Sequence, residues 1–102
     1  MTTIVVLFNL KPGVDIARYE AWARSTDLPL VNALPSVSGF RVQRAQGLLG
    51  GGDSPYQYVE LLEVDDVGKL GEDISTPAMQ KVVAEFAEFA DSPKFILTEP
   101  IG

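Results

Sequence analysis

The chain contains neither cysteine nor histidine, and these two absences narrow the chemistry available to it. Without cysteine it can form no disulfide, thiolate nucleophile or sulfur-ligated metal site. Without histidine it lacks the commonest general base at neutral pH, the commonest metal ligand and any serine–histidine relay. If the protein is an enzyme, its proton chemistry must come from aspartate, glutamate, tyrosine, lysine or water.

Basic residues are also scarce, since eight lysines and arginines stand against 14 acidic residues and give a net charge of -6. A surface of this sign repels phosphate backbones, so nucleic acid is not an expected partner. The acids do not follow EF-hand spacing, and no metal site is expected. The apolar run Ile4 to Phe8 is far shorter than a bilayer span, and no secretory signal is recognisable. We therefore expect a cytoplasmic protein that makes no use of a membrane.

The hydrophobic pattern predicts one α+β domain over residues 1–102 with a ferredoxin-like split βαβ order, βαββαβ. In this plan an antiparallel sheet carries two helices on one face. The first strand is apolar on both of its faces, and one layer of helices covers only one of them. A second copy of the chain is the simplest cover for the other face, so a homodimer is expected. The predicted elements are strands Thr3–Leu10, Phe40–Ala45, Tyr56–Val64 and Phe95–Glu99, a helix Val14–Pro35 and a helix that begins at Thr76-Pro77.

The first helix is predicted to lose its regularity at Asp27-Leu28-Pro29-Leu30, because proline cannot continue the hydrogen-bond ladder. Its apolar stripe comprises Ile16, Tyr19, Ala23, Leu30 and Leu34. Glu20 and Asp27 lie at the edge of this stripe. Glu20 is interpreted as a surface partner of Arg24, four residues later. Asp27 has two compatible interpretations: it caps the helical turn that restarts at Leu28, or it faces a pocket.

Glu60 lies on the third strand among large apolar neighbours, because Tyr56, Tyr58, Leu62 and Val64 share its face. It either forms a salt bridge with Arg41 or Arg44 of the neighbouring strand or faces the cleft between sheet and helices. The glycine-rich stretch Gly47–Pro55 lacks the helix and the Gly-Lys-Ser/Thr ending of a phosphate loop. It is predicted to be a flexible hairpin connection that can serve as a lid.

Several short segments resemble known proteins, namely Phe8-Asn9-Leu10-Lys11-Pro12-Gly13, Tyr19-xx-Trp22, Asp27-Leu28-Pro29-Leu30-Val31 and Phe40-Arg41-Val42. With the element order, they resemble the dimeric α+β barrel superfamily over nearly the whole chain, and within it the RedY-like proteins of prodiginine (prodigiosin) biosynthesis. EthD-like proteins are a more distant resemblance. EthD-like relatives often carry a histidine where this chain has Asp27, so the resemblance implies a pocket at this position.

This resemblance implies a small cofactor-free enzyme of pigment or secondary-metabolite biosynthesis. The expected reaction is an acid–base cyclisation or condensation of a pyrrole-bearing or β-keto intermediate, with Asp27 or Glu60 moving the proton and a tyrosine hydroxyl polarising the carbonyl. A cofactor-free monooxygenase and a non-catalytic carrier of a labile aromatic precursor are the alternatives. A planar aromatic substrate would contact the apolar and aromatic side chains Phe8, Tyr19, Trp22, Phe40, Val42, Tyr58 and Phe86.

Overall fold

The computed structural model of the chain describes residues 1–102, and it has the predicted α+β architecture. Four strands form one antiparallel sheet in the order β2-β3-β1-β4, with bounds β1 Thr2–Leu10, β2 Val37–Arg44, β3 Tyr58–Val64 and β4 Ala90–Thr98. The helical segments are α1 Ile16–Trp22, a π-helical turn Ala23–Asp27, α2 Leu28–Asn32, α3 Val67–Asp73 and α4 Pro77–Phe89. The short helix α3 lies between β3 and α4, where no element was predicted from the sequence. None of these helices is long and apolar enough to cross a bilayer.

The two central strands have one deeply buried face. In β1 the side chains of Ile4, Val6, Phe8 and Leu10 are buried, whereas those of Val5 and Leu7 on the other face are only half-buried. This alternation is the period of two expected of a strand. In β3, Glu60 is paired with the buried Val6 of β1, so Glu60 lies on the buried face of the sheet.

The predicted start of the last helix at Thr76-Pro77 is confirmed, and the first helix begins after Asp15 rather than at the predicted Val14. The Asp15 Oδ1 atom accepts a hydrogen bond of 3.0 Å from the Ala17 amide, and the Thr76 Oγ1 atom accepts one of 3.3 Å from the Met79 amide. Pro77 follows Thr76 at the first helical position, where its missing N–H has no intrahelical partner to lose.

The first helix departs from the predicted stripe because of its π-helical turn. The Leu28 amide donates to the carbonyl of Ala23, five residues earlier, so this turn contains one residue more than an α-helical turn. The extra residue changes the angular position, around the helix axis, of the side chains that follow it. Val31 is therefore buried in place of Leu30, which is exposed, and the prediction that Leu30 belongs to the buried stripe was wrong for this reason. Ile16 is the first residue of α1 and precedes the π-helical turn; it is exposed as well, so its predicted place in the stripe was also wrong.

Helix α4 is followed directly by β4, which begins at Ala90, earlier than the predicted Phe95. Pro93 lies within this strand, and it is tolerated because β4 is at the edge of the sheet, where one row of N–H groups has no partner. Ser92 has a φ of +46°, and the β1–β4 register shifts between Leu7 and Asn9. The strand thus begins with an irregularity that sequence patterns do not show.

Residues 47–55 form the predicted hairpin connection between β2 and β3. The Leu48 amide donates to the Gly52 carbonyl at 2.9 Å, and Gly52 has a φ of +98°, a conformation that favours glycine. The base of this loop is tied to β1, because the Asn9 side chain donates to the Pro55 carbonyl at 3.2 Å and accepts from the Gln57 amide at 2.9 Å. Its use as a lid stays a prediction.

Candidate functional site

The largest cavity in the fold lies between the sheet and the helices and has a volume of about 500 Å³. Its volume is in the range of small-molecule sites. The sheet wall consists of apolar side chains from β1, β2, β3 and β4, namely Ile4, Val6, Phe40, Leu62, Phe95 and Leu97. The only ionisable groups that line the cavity are the carboxyl groups of Asp27 and Glu60. The two acids that the sequence singled out thus border one cavity.

Glu60 lies at the centre of the sheet wall, opposite Val6 of β1 and Val42 of β2. It is only 5% exposed, and its Oε2 atom has no hydrogen-bond partner. Burial, and after it the nearby Asp27 carboxylate, raises the pKa of Glu60 to about 8.

The salt bridge considered for Glu60 does not form. Arg44 is paired with Glu20 instead. Arg41 pairs with Leu61 in the sheet, so it lies on the opposite face from Glu60. Of the two interpretations of Glu60, the orientation toward the cleft is therefore the one observed.

Asp27 is the last residue of the π-helical turn and is also 5% exposed. It makes no side-chain capping hydrogen bond to α2, so the prediction that it caps this turn was wrong. Burial disfavours the ionised form of the Asp27 carboxyl group and raises its pKa to about 7. The π-helical turn directs both of its buried residues, Ala23 and Asp27, toward the interior. Turns of this kind often occur at functional sites.

Tyr19 has a fully buried hydroxyl group without a hydrogen-bond partner. Its pKa is raised above the ordinary value, first by burial and then by the nearby carboxylates of Glu60 and Asp27. The ring packs edge-on against Phe8 and Tyr58, with ring centres 5.8 and 4.9 Å away. Tyr19 therefore remains a neutral hydroxyl near the two acids.

The predicted substrate-contacting residues fall into three groups. Phe40 and Phe86 line the cavity that contains the acids. Three of the predicted residues, Tyr19, Val42 and Tyr58, line a second, smaller cleft of about 240 Å³. Phe8 and Trp22 line neither space.

The latter two side chains have structural partners instead. The ring of Phe8 is 0% exposed and stacks on Tyr58 with ring centres 5.4 Å apart. The Trp22 indole nitrogen donates to the Glu85 carboxylate at 3.2 Å. Both contacts account for these aromatics as parts of the core and its rim.

Glu20 is the centre of an ion cluster that the sequence did not indicate. The expected pair with Arg24 is present at 3.3 Å. In addition, the Glu20 carboxylate accepts from the Tyr58 hydroxyl and from Arg44 Nε, each at 2.7 Å. The hydrogen bond from Arg44, followed by that from Tyr58, lowers the pKa of Glu20 to about 2. Arg44 and Tyr58 are opposite each other in the β2–β3 register, which brings both side chains to Glu20, and the sequence pattern does not contain this register.

Sequence reasoning missed the part of the cavity wall contributed by β4 and part of α4. Phe95 and Leu97 are 62% and 66% exposed although they border the cavity, and Val83 of α4 is also exposed. They mark the mouth of the cavity at the edge of the sheet. Of α4, only Phe86 had been predicted as a substrate contact. The fold brings no group of three acidic side chains together in a way that could hold a metal ion.

Fold and cavity together define a small ferredoxin-like α+β protein with two buried carboxyl groups in an apolar pocket. A family model described as REDY-like protein HapK matches residues 2–101. The chain therefore belongs to the HapK family of REDY-like proteins. No curated protein matches the sequence.

Solved structures agree with this assignment. HapK from Hahella chejuensis is 27% identical over 100% of this chain and 94% of its own, with a TM-score of 0.82. An EthD family protein from Bacillus halodurans is 20% identical, covers 99% of both chains and has a TM-score of 0.77.

Two further structures share the fold at lower identity. SnoaB from Streptomyces nogalater, described as a cofactor-independent oxygenase, is 13% identical over 99% of this chain and 93% of its own, with a TM-score of 0.77. A ferredoxin-like protein from Thermobifida fusca, described as dimeric, is 16% identical over 97% of this chain and 90% of its own, with a TM-score of 0.73.

Proposed function

We propose that this protein is a small cofactor-free enzyme of pigment or secondary-metabolite biosynthesis of the prodiginine type. It catalyses the acid–base cyclisation or condensation of a pyrrole-bearing or β-keto intermediate in the cavity between sheet and helices. The family assignment supports the metabolic setting, and Asp27 and Glu60 support the reaction type. The observation that carries the proposal is that both carboxyl groups border one apolar cavity and have pKa values near neutrality.

These pKa values suit proton transfer in both directions. A general acid–base group works best when its pKa is close to the pH at which it operates. Burial raises the pKa of Asp27 to about 7 and that of Glu60 to about 8, so near neutral pH the two groups together hold about one proton. One carboxyl group is then available as an acid while the other is available as a base.

In a condensation, the ionised carboxylate removes a proton from the nucleophilic carbon or nitrogen of one substrate half. A bond forms between that atom and the carbonyl carbon of the other half, and the protonated carboxyl group delivers its proton to the carbonyl oxygen. The carboxyl group that took the first proton then protonates the new hydroxyl group, which leaves as water. The cation that remains loses an N–H or C–H proton to the other carboxylate. The apolar walls fold the substrate and exclude bulk water, which strengthens each electrostatic contact in the cavity.

Of the two tyrosines, both of which line the second cleft, Tyr19 is the better candidate for the predicted carbonyl polariser. The Tyr58 hydroxyl already donates to Glu20. The Tyr19 hydroxyl has no partner and lies within the electrostatic influence of both acids. It remains protonated at neutral pH.

A second candidate activity is a cofactor-free monooxygenase. It is favoured by the shared fold of SnoaB, which is described as a cofactor-independent oxygenase. In that case Asp27 or Glu60 would deprotonate an electron-rich substrate, and the resulting carbanion would react with oxygen. A non-catalytic carrier would use the same cavity without chemistry.

The test incubates the protein with a formylpyrrole and a second pyrrole under air and under argon, followed by mass spectrometry. A condensing enzyme yields a product of the summed masses less one water, at the same rate in both atmospheres. The Asp27→Asn/Glu60→Gln double variant should lose about 100-fold or more in rate, the range expected for general acid–base groups.

Glu63→Gln is the matched control, because Glu63 is on the same strand but on the opposite face of the sheet and does not line the cavity. Its rate should equal that of the unaltered protein. Product that forms only under air, with oxygen consumed in step, would support the oxygenase. Binding of the pyrroles without any turnover would support the carrier.

A further inference from the structure

We propose that the cavity selects a planar nitrogen base that carries one positive charge near neutral pH and presents N–H donors to Asp27 and Glu60. This inference rests on the proposed function, since it names the substrate class of the same cavity. It concerns which charge state and which hydrogen-bonding groups the cavity accepts.

The first argument is the lack of donors in the cavity. Glu60 Oε2 is buried without a hydrogen-bond partner, and Asp27 makes no capping hydrogen bond. Buried polar atoms in proteins almost always have a partner, and an unpaired one is costly. The remaining lining side chains are apolar and offer no N–H or O–H group. The groups that satisfy these two carboxyls must therefore come with the ligand.

The second argument is charge. No lysine or arginine borders the cavity, because Arg44 and Arg24 are held by Glu20 at the other cleft. A buried carboxylate without a positive partner is unfavourable, and it attracts a ligand cation strongly. An anionic ligand would meet two acids and no compensating base. The cavity therefore disfavours carboxylates and phosphates.

The third argument is shape and surface. The space of about 500 Å³ accommodates a ligand of about two or three rings. Phe40 and Phe86 offer aromatic faces, and the exposed Phe95 extends this surface to the mouth. Aromatic faces attract flat rings and also cations. A delocalised heteroaromatic cation can therefore stack on the aromatic side chains and also neutralise the charge of the two acids.

The test measures binding of three bicyclic probes by isothermal titration calorimetry at pH near neutrality. The probes are 2-aminobenzimidazole, a flat base that protonates near neutral pH, indole, which is uncharged with one N–H, and indole-2-carboxylate, an anion. We expect 2-aminobenzimidazole to bind about tenfold or more tightly than indole, because its hydrogen bonds are charge-assisted. The carboxylate should bind most weakly.

The variants assign this preference to the two acids. In Asp27→Asn/Glu60→Gln, the affinity for 2-aminobenzimidazole should fall to that for indole, while the affinity for indole stays within about threefold. Each single variant should lose part of the preference, so the conclusion does not depend on the double variant alone. Glu63→Gln should keep the full preference, since it removes an acidic group from the protein while the cavity is untouched.

Equal affinity for indole and 2-aminobenzimidazole, tighter binding of the carboxylate, or no binding of any probe would overturn the inference. A preference that survives in the double variant would also overturn it, because general attraction to a protein of net charge -6 would then be the cause. Catalysis is read out separately. If the protein converts pyrroles but shows no preference for the cation, the proposed function is supported and this inference is refuted. If it shows the preference but no turnover, the ligand class is supported and the proposed function is refuted.

Discussion

Asp27 and Glu60 differ from the other acidic side chains of this protein in that both are buried beside hydrocarbon. Glu60 was placed correctly among large apolar neighbours by the alternation of β3, which depends only on a period of two. Whether it pairs with an arginine depends on the strand register, and this information is absent from the pattern. In the observed register Arg44 is opposite Tyr58, and Arg44 forms an ion pair with Glu20 of α1. Glu60 is therefore left without a positive partner.

The stability of the protein should fall as the pH rises from about 5 to about 8. The folded-state pKa values of Asp27 and Glu60, about 7 and about 8, lie above the ordinary carboxyl values of 3.8 and 4.5. The native state therefore holds protons that the unfolded state releases, and the free energy of unfolding decreases through this range. We expect a decrease on the order of 6 kcal/mol from the two groups together, measured by urea unfolding at several pH values.

The Asp27→Asn/Glu60→Gln variant should show a flat profile over the same range, whereas Glu63→Gln should retain the slope. Other ionisable groups near the cavity do not confuse this result. Tyr19 stays neutral because its pKa is raised, and the pKa of Glu20 lies near 2. A profile of the unaltered protein that rises toward pH 8 would mean that the two acids are not buried in the folded protein.

At the scale of elements, the π-helical turn is the feature in which the structure differs most from the helix predicted from the sequence. Pro29 correctly indicated a disturbance, but the hydrogen-bond shift occurs one turn earlier, at Ala23–Asp27, and Pro29 lies in the first turn of α2. Helical periodicity assumes one constant angle per residue, and an inserted residue breaks this assumption. For this reason Val31 faces the cavity in place of Leu30.

Asn32 fixes the end of α2 to the edge strand β2. Its side chain donates to the Phe40 carbonyl at 3.1 Å and accepts from the Phe40 amide at 3.0 Å, as a neighbouring strand would. It also donates to the Leu28 carbonyl at 2.8 Å. Since Phe40 lines the cavity, Asn32 holds one wall of the pocket in place.

We expect Asn32→Ala to lower the free energy of unfolding by about 1–3 kcal/mol, because hydrogen bonds to backbone groups are lost. The more specific readout is hydrogen exchange at the Phe40 amide, which should accelerate. The Arg41 amide is the internal reference, because adjacent residues of an edge strand point their N–H groups in opposite directions. Equal acceleration at both amides would show that the substitution merely loosens the whole strand.

At the scale of the whole molecule, the sheet has one face under helices and one face open. The open face contains Val5, Leu7, Val59 and Leu61, all half-buried, and the exposed Ile96 of β4. An apolar sheet face of this kind is normally covered. The homodimer predicted from the doubly apolar first strand would supply such a cover, and we propose it for this chain; two structures of the same fold are described as dimeric.

The dimer proposal is tested by Leu61→Glu, measured by size-exclusion chromatography with light scattering. Leu61 is opposite Val5 of β1 and Arg41 of β2, near the middle of the open face. A buried glutamate there should shift the protein from dimer to monomer. Leu30→Glu is the control, because Leu30 is exposed on the helix side, and this variant should stay dimeric. An unaltered protein that is already monomeric would refute the proposal.

The fold was predictable from the sequence because strand alternation, helix caps and turn residues are local signals that agree with one another. The site was predictable only in part. Asp27 and Glu60 lie about a third of the chain length apart in sequence, and both border the cavity. The contributions of α3 and β4, including Leu70 and Phe95, depend on how the last third of the chain packs against the first, which no local pattern encodes.

Strand β3 carries its two sets of contacts on alternate residues: Tyr58, Glu60 and Leu62 face the helices, and Val59, Leu61 and Glu63 face away. Substitutions at Glu60 and Leu62 therefore change the cavity without altering the outer face, and substitutions at Val59 and Leu61 do the reverse. Adjacent codons of β3 can thus change independently, one altering the cavity wall and the next altering the open face of the sheet.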